Sequence, residues 1–380
     1  MNRRERLIAT LAGQPVDRPA VSFYEIGGFA VNPNDPDEFN IYNSSDWKPL
    51  LKLAEDETDL IRMRAPILSP VDACCRERYF HQRTWIEGRS RFTRTILHVA
   101  GREMTALSRR DADIDTVWEI EHLLKNPDDL RAFLQLPEEA LDMEPDVSNL
   151  LASEREVGNR GLVMVDQEDP LCAAAQLFGM EDFLVTALCE QDLFDRLLDK
   201  LVRPLYRRVK KIAHAFPGRL WRIFGPEYAT EPYLPPTLFQ RYVVGYTQPI
   251  IRLIHDSGGW ARIHCHGRIS AVLPMIVSMG ADAIDPVEPP PQGDVPLAFV
   301  RQRYGKNLVL FGNIEIAAIE NLPPAQFEPV VARTLREGAE GEGKGFVLMP
   351  SASPYGRTIT PTTMANYQTM VRLVREFHRR

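Results

Sequence analysis

The sequence contains no long apolar run, since none approaches the roughly 18 residues that a membrane-spanning helix needs. Its N-terminal stretch, residues 1–13, begins with charge, but Thr10 interrupts the apolar part. That part is too short for the core of a signal peptide. Both absences predict a cytoplasmic protein that does not associate with a membrane.

Cysteine is scarce, and the five residues are odd in number and show no CxxC spacing. A disulfide framework and a zinc ribbon both need paired cysteines, so the sequence predicts neither. An excess of basic residues is also lacking: 45 Lys and Arg stand against 52 Asp and Glu, a net charge of −7. We therefore expect no nucleic acid among the partners.

Short apolar, β-rich runs alternate along the chain with longer amphipathic segments, which is typical of a parallel sheet wrapped by helices. The predicted strands are residues 20–23, 60–63, 161–165, 220–224, 261–263, 283–285, 308–311 and 346–349. The predicted helices are residues 193–216, 236–256, 269–278, 324–337 and 361–377. Eight alternating units favour an α/β fold of the closed (β/α)8 type, a TIM barrel, although periodicity alone leaves an open doubly wound sheet as an alternative.

Residues 79–116 follow a different pattern. Their alternation around Ala100 and Gly101 predicts a β-hairpin inserted into the barrel. Residues 127–160 are polar and helical in period, which indicates a connection or a cap. With no internal repeat and no low-complexity linker, we expect one barrel domain over residues 1–380.

Polar residues follow most of the predicted strands, where (β/α)8 enzymes place their reacting groups. The candidate catalytic residues are Asp166, Glu227, His264 and Glu288. The candidate substrate-binding residues are Glu25, Glu168, Tyr228, Asn313 and Ser353. Among the acids at 166, 168 and 169, one could be a general acid or base, and at least one could simply cap the helix starting near Leu171.

The element His264-Cys265-His266 is the sharpest of these signals. Side chains two apart on a strand share a face, so both imidazoles can point into the barrel mouth while Cys265 faces the helices. Two imidazoles are half of a zinc site, and Glu227 or Glu288 could supply a missing ligand. Two hydrogen-bonded histidines without metal are the alternative.

Several segments together resemble the uroporphyrinogen decarboxylase superfamily. They are RERL at residues 4–7, GQPVDRP at 13–19, HCHG at 264–267, GADAIDP at 280–286, FGNI at 311–314 and GFVL at 345–348. The resemblance runs over nearly the whole chain and implies the (β/α)8 barrel. Two branches of the superfamily imply different chemistry.

The decarboxylase branch carries an Arg-Gln-Ala-Gly-Arg element that grips the carboxylates of its porphyrinogen. The corresponding residues 24–29 read YEIGGF, without arginine, and Glu25 would repel that polyanion. The resemblance therefore disfavours the porphyrinogen reaction itself. A cofactor-independent decarboxylase or lyase for another carboxylate remains the alternative, with Glu227 or Asp166 carrying the proton and His264 as electrophile.

The other branch comprises zinc-dependent methyltransferases that work with corrinoid proteins and carry His-x-Cys-Gly and a later Cys. His264 matches the first ligand, His266 replaces the second, and the third position falls at Ala352, which cannot bind metal. We expect a methyltransferase-like enzyme for a small molecule, with zinc held by His264, His266 and a carboxylate such as Glu227. A corrinoid carried by a partner protein and a homodimer are implied by the same resemblance. A binding protein without activity is disfavoured, because clustered ionisable groups are costly to hold together.

Overall fold

Strands and helices alternate along the chain in the order that the apolar periodicity predicts. The structure is a computed structural model that describes residues 1–23, 26 and 34–377. The strands are β1 (Ala20–Val21), β2 (Leu60–Arg64), β3 (Ile67–Pro70), β4 (Phe80–Glu87), β5 (Ser90–Val99), β6 (Arg102–Asp111), β7 (Val117–Glu121), β8 (Met143–Asp146), β9 (Gly161–Glu168), β10 (Leu220–Phe224), β11 (Trp260–His264), β12 (Ala283–Asp285), β13 (Val309–Ile314) and β14 (Phe346–Pro350).

The helices lie mainly between the strands of the central sheet and after the last of them. They are α1 (Arg3–Leu11), α2 (Trp47–Glu57), α3 (Ala73–Tyr79), α4 (Pro127–Phe133), α5 (Ser148–Val157), α6 (Pro170–Ala175), α7 (Met180–Cys189), α8 (Gln191–Ala215), α9 (Pro236–Phe239), α10 (Gly245–Asp256), α11 (Leu273–Ser278), α12 (Leu297–Tyr304), α13 (Ile316–Asn321), α14 (Pro324–Ala339) and α15 (Pro361–Glu376). A π-helical turn, Gln240–Val244, joins α9 to α10, so the single helix predicted at 236–256 has three parts. No helix within the described ranges is long and apolar enough to cross a membrane.

Eight parallel strands form the central sheet in the order β1-β14-β13-β12-β11-β10-β9-β2. All eight predicted strands are present. The ends of this order, β1 and β2, meet through Asp59: its backbone N–H donates to Val21 O at 2.7 Å, and its carboxylate accepts from the Val21 N–H at 3.0 Å. The predicted (β/α)8 barrel is confirmed.

The carboxylate of Asp59 also binds two arginines from the N-terminal segment. Arg6 Nη1 donates to Oδ1 at 2.5 Å, and Arg18 Nη1 donates to Oδ2 at 2.9 Å. Asp59 is completely buried, and a buried carboxylate is tolerated only when it is paired and hydrogen-bonded. Arg6 also donates to Asp17. Residues 4–19 therefore stabilise the barrel seam, which is the contact between β1 and β2 where the barrel closes.

The interior of the barrel is apolar at one end of its axis and charged at the other. At the N-terminal end of the strands, Leu7 and Leu11 of α1 pack on inward-facing Met164, Leu220 and Ala283. Alternate residues of a strand face the same side. The inward positions two residues further on are therefore charged: Asp166, Arg222 and Asp285. The apolar end is closed, and the polar end forms the mouth.

Residues 80–121 form a four-stranded antiparallel sheet, β4-β5-β6-β7, inserted between β2 and β9. The turn at Ala100 and Gly101 joins β5 to β6, as predicted, with Val99 opposite Arg102. The structure has four strands where the sequence predicts a two-stranded hairpin. Strands β4 and β7 are largely exposed on both faces, so they lack the apolar alternation that reveals a half-buried strand.

We expect Asp59→Ala to destabilise the protein by about 3–5 kcal/mol, because it opens the seam and leaves Arg6 buried beside Asp17 alone. The free energy of unfolding in urea measures this loss. The control is Asp56→Ala, which removes an exposed carboxylate that is paired with Lys52, four residues before it in the chain. Equal effects of the two substitutions would contradict the role of Asp59.

Candidate active site

His264 ends strand β11 and belongs to a buried polar chain. Its Nδ1 lies 2.7 Å from Asp285 Oδ2, and Arg262 Nε forms an ion pair with the other oxygen of Asp285 at 2.9 Å. Burial and the charge of Arg222 lower the pKa of His264 to about 3. Burial alone would raise the pKa of Asp285, but Arg262 and His264 outweigh it and hold that pKa at about 2.

His266 is the more exposed of the two imidazoles. Its Nδ1 lies 2.8 Å from Glu288 Oε1, while Glu288 Oε2 accepts the Gly267 N–H at 2.6 Å. Burial lowers the pKa of His266, but the hydrogen bond and charge of Glu288 outweigh it and raise that pKa. The rings of His264 and His266 stand 4.6 Å apart at 85°, so the two imidazoles lie against each other. Cys265 packs in the outer core, as predicted.

Glu227 lies on a short 3-10 turn, Pro226–Ala229, that follows strand β10. The turn depends on Gly225: its φ is 111°, and a Cβ there would lie 2.1 Å from the Cβ of Cys172. Glu227 Oε2 accepts the Gly225 N–H at 3.1 Å. Burial raises the pKa of Glu227, and its backbone hydrogen bonds and the charge of His266 oppose that rise.

Glu315 is a member of the site that the sequence interpretation missed. It follows strand β13, and burial and the charge of Glu288 raise its pKa to about 7. Ser351 Oγ donates to one of its oxygens at 3.4 Å. The other oxygen is buried without a hydrogen-bond partner among the described residues. Its place directly after a strand is the signal that could have identified it.

Two candidate acids are held by arginines. Asp166 accepts from Arg222 Nη1 at 2.8 Å, and Glu168 accepts from Arg208 Nη2 at 2.6 Å. Burial raises the pKa of Asp166, while Arg222 lowers it. The neighbouring Asp169 accepts the Cys172 N–H at 2.6 Å and caps α6, which confirms the capping interpretation for one acid of this cluster.

The remaining candidates lie in different surroundings. Asn313 donates to Val287 O at 2.8 Å and so holds the loop that carries Glu288. Tyr228 packs edge-on against Phe183 at 5.8 Å and lines a cavity of about 630 Å³ beside the barrel. Ser353 is half-buried after strand β14. Glu25 lies outside the described residues.

The predicted zinc site is incomplete in the part of the chain that the structure describes. There, no group of three or more His, Cys, Asp and Glu side chains is placed to hold a metal ion. His264 and His266 each have a carboxylate at Nδ1, as zinc-ligating histidines usually do. Since a catalytic zinc takes three protein ligands, the described residues do not fit the complete ion site.

The family follows from a comparison with known protein families. The model of the family described as Uroporphyrinogen decarboxylase (URO-D) matches residues 119–377, which is more than half of the chain. The chain belongs to this family. The resemblance predicted from the sequence is thereby confirmed. The matched range contains β9 to β14, and therefore His264, His266, Glu227, Glu288 and Glu315.

One solved structure shows the same fold, and two others are only weakly similar. A methyltransferase from Methanosarcina mazei is 15% identical, with a TM-score of 0.61 and 99% of each chain covered. D-psicose 3-epimerase in the presence of D-fructose is 10% identical, with a TM-score of 0.30 over 63% of this chain and 77% of that one. A Bacteroides ovatus GH5 xyloglucanase is 10% identical, with a TM-score of 0.31 over 83% and 98%. A comparison with curated proteins gives no match.

We expect Glu315→Gln to stabilise the protein at pH 8 and to have little effect near pH 4. A carboxyl whose folded-state pKa is raised to about 7 contributes stability below its unfolded-state pKa, about 4.3, and loses that contribution as the pH rises through 7. Urea unfolding of both proteins across this range measures the difference. Glu320→Gln on α13 is the control, and the same pH dependence in both variants would contradict the assignment.

Proposed function

We propose that this member of the uroporphyrinogen decarboxylase family is a methyltransferase-like enzyme that removes a methyl group from oxygen or nitrogen of a small molecule. The observation that supports this is the pair of imidazoles at right angles, each oriented by its own carboxylate. Such a pair offers two directed nitrogen atoms at the barrel mouth, where this fold carries out its chemistry. A corrinoid on a partner protein would supply the cobalt that accepts the methyl group.

The residues of this chain handle the proton that the reaction requires. When the methyl group leaves without the bonding electron pair, the oxygen or nitrogen keeps that pair and takes up a proton. His266 is partly exposed and can deliver a proton from Nε2, while Glu288 at Nδ1 stabilises the imidazolium. The deprotonated imidazole then recovers a proton from solvent.

The charge of the site supports a neutral or cationic substrate. Glu288 contacts His266, and Glu227 and Glu315 lie close enough for their charges to interact with it; when ionised, these carboxylates would repel a polycarboxylate such as a porphyrinogen. The family description alone favours the decarboxylase alternative. The acidic surroundings of His266 favour methyl transfer.

A direct test supplies free reduced cobalamin in place of the partner protein, together with a panel of methoxylated and N-methylated compounds. Visible absorption reports methylcobalamin. We expect formation with the wild type, and a loss of about 10²–10⁴-fold in His266→Gln, which lacks the proton donor. His255→Gln is the matched control, because His255 also pairs with a carboxylate, Asp282, at 2.7 Å, but before strand β12 and away from the mouth.

The test separates the two reactions. Carbon dioxide released from a carboxylate without cobalamin, and no methylcobalamin from any compound, would support the decarboxylase and contradict the proposal. Loss of activity in His255→Gln equal to that in His266→Gln would contradict the assigned role of His266.

Zinc is a separate part of the proposal. His264 and His266 would be two of its ligands, the described residues supply no third, and no step of the proposed reaction depends on the ion. We expect metal analysis after growth with added zinc to find the ion in the wild type and to find it lost in His264→Ala. Only a trace in the wild type would contradict the zinc prediction and would leave the role of His266 intact.

A further inference from the structure

We propose that Arg262 and Asp285 form a positioning device that keeps His264 in one tautomer, with hydrogen on Nδ1 and an unprotonated Nε2. The inference concerns the imidazole itself, so it does not depend on which reaction the enzyme catalyses.

The first argument is the division of the Asp285 carboxylate between two partners. One oxygen lies 2.7 Å from His264 Nδ1, and the other lies 2.9 Å from Arg262 Nε. An ionised carboxylate has no hydrogen to donate. Arginine remains charged in proteins and keeps Asp285 in that ionised form. The hydrogen between Asp285 and His264 must therefore lie on Nδ1.

The second argument is that the three side chains have little freedom to rearrange. The side chains of Arg262 and Asp285 are 0% exposed, and that of His264 is 4% exposed. The guanidinium of Arg262 also lies 4.9 Å from the centre of the Phe311 ring, which packs against it inside the barrel. Solvent therefore cannot compete for the hydrogen on Nδ1.

The third argument is that strands, and not loops, set the geometry. Arg262 and His264 are two apart on β11 and face the same side. Asp285, on β12, stands directly opposite His264 in the ladder. The backbone register thus places the carboxylate between the guanidinium and the imidazole.

A neighbouring pair in the barrel provides a matched comparison. Arg222 stands opposite Arg262 in the β10–β11 ladder, and its charge is balanced by Asp166 at 2.8 Å. This second pair has the same chemistry as Arg262 and Asp285, but among the described residues no hydrogen bond joins its carboxylate to an imidazole. Asp166, predicted as catalytic, is therefore assigned to the charge balance of this layer.

The test is NMR of protein labelled with ¹⁵N in histidine, in which long-range ¹H–¹⁵N correlations distinguish the two tautomers. The chain has eight histidines, and the signals of His264 are those that disappear in His264→Gln. We expect the wild type to show His264 with hydrogen on Nδ1 only. Asp285→Asn should abolish this preference, because an amide can either donate to Nδ1 or accept from it.

Two variants of Arg262 and one of Arg222 test the role of Arg262. Arg262→Met should give a mixture of tautomers, since Asp285 loses the buried charge that keeps its carboxylate ionised. Arg262→Lys, which keeps the charge, should restore most of the Nδ1 form. Arg222→Met should leave the hydrogen of His264 on Nδ1, because Arg262 still pairs with Asp285, although losing the charge of Arg222 raises the pKa of His264.

Two results would overturn the proposal. One is a wild-type His264 with hydrogen on Nε2 or with mixed tautomers, a result that needs no variant to fold. The other is a folded Arg262→Met with the wild-type tautomer. Because the spectra need no substrate, failure of this proposal is distinguishable from failure of the proposed methyl transfer.

Discussion

The ion pairs of Asp59 hold the barrel closed, and the site exists only in a closed barrel. Strands β1 and β2 share no backbone ladder, so the Asp59 main chain and carboxylate, with Arg6 and Arg18, bridge them. Closure brings the ends of all the strands to one mouth. Groups as far apart in sequence as Glu227 and Glu315 can then act on the same imidazole.

The barrel fold can be predicted from the sequence because its strands are buried on both faces. Such strands appear as continuous apolar runs, and residues 220–224 and 346–349 are examples. The strands of the inserted sheet are harder to predict from the sequence, since β4 and β7 expose both faces. The prediction therefore succeeded for the barrel and recovered only the central turn of the insertion.

The sequence predicts site residues only where they lie close together in the chain. His264 and His266 are two residues apart, so strand geometry predicts their shared face. Asp285 lies 21 residues from His264 in the chain, and only the register of β11 and β12 brings them together. Arg262 was missed for the same reason, because its role arises from a neighbour on another strand. Glu315 was also missed, although its place directly after strand β13 could have identified it.

The division of the barrel interior into an apolar end and a charged end has a consequence for how the protein can diverge. A change at Leu7 or Met164 alters how well the chain folds, whatever the substrate. A change at His266 or Glu288 would alter the proposed proton donor and touches little of that packing. Selection for a new substrate could thus rework the mouth while the scaffold beneath it is inherited unchanged.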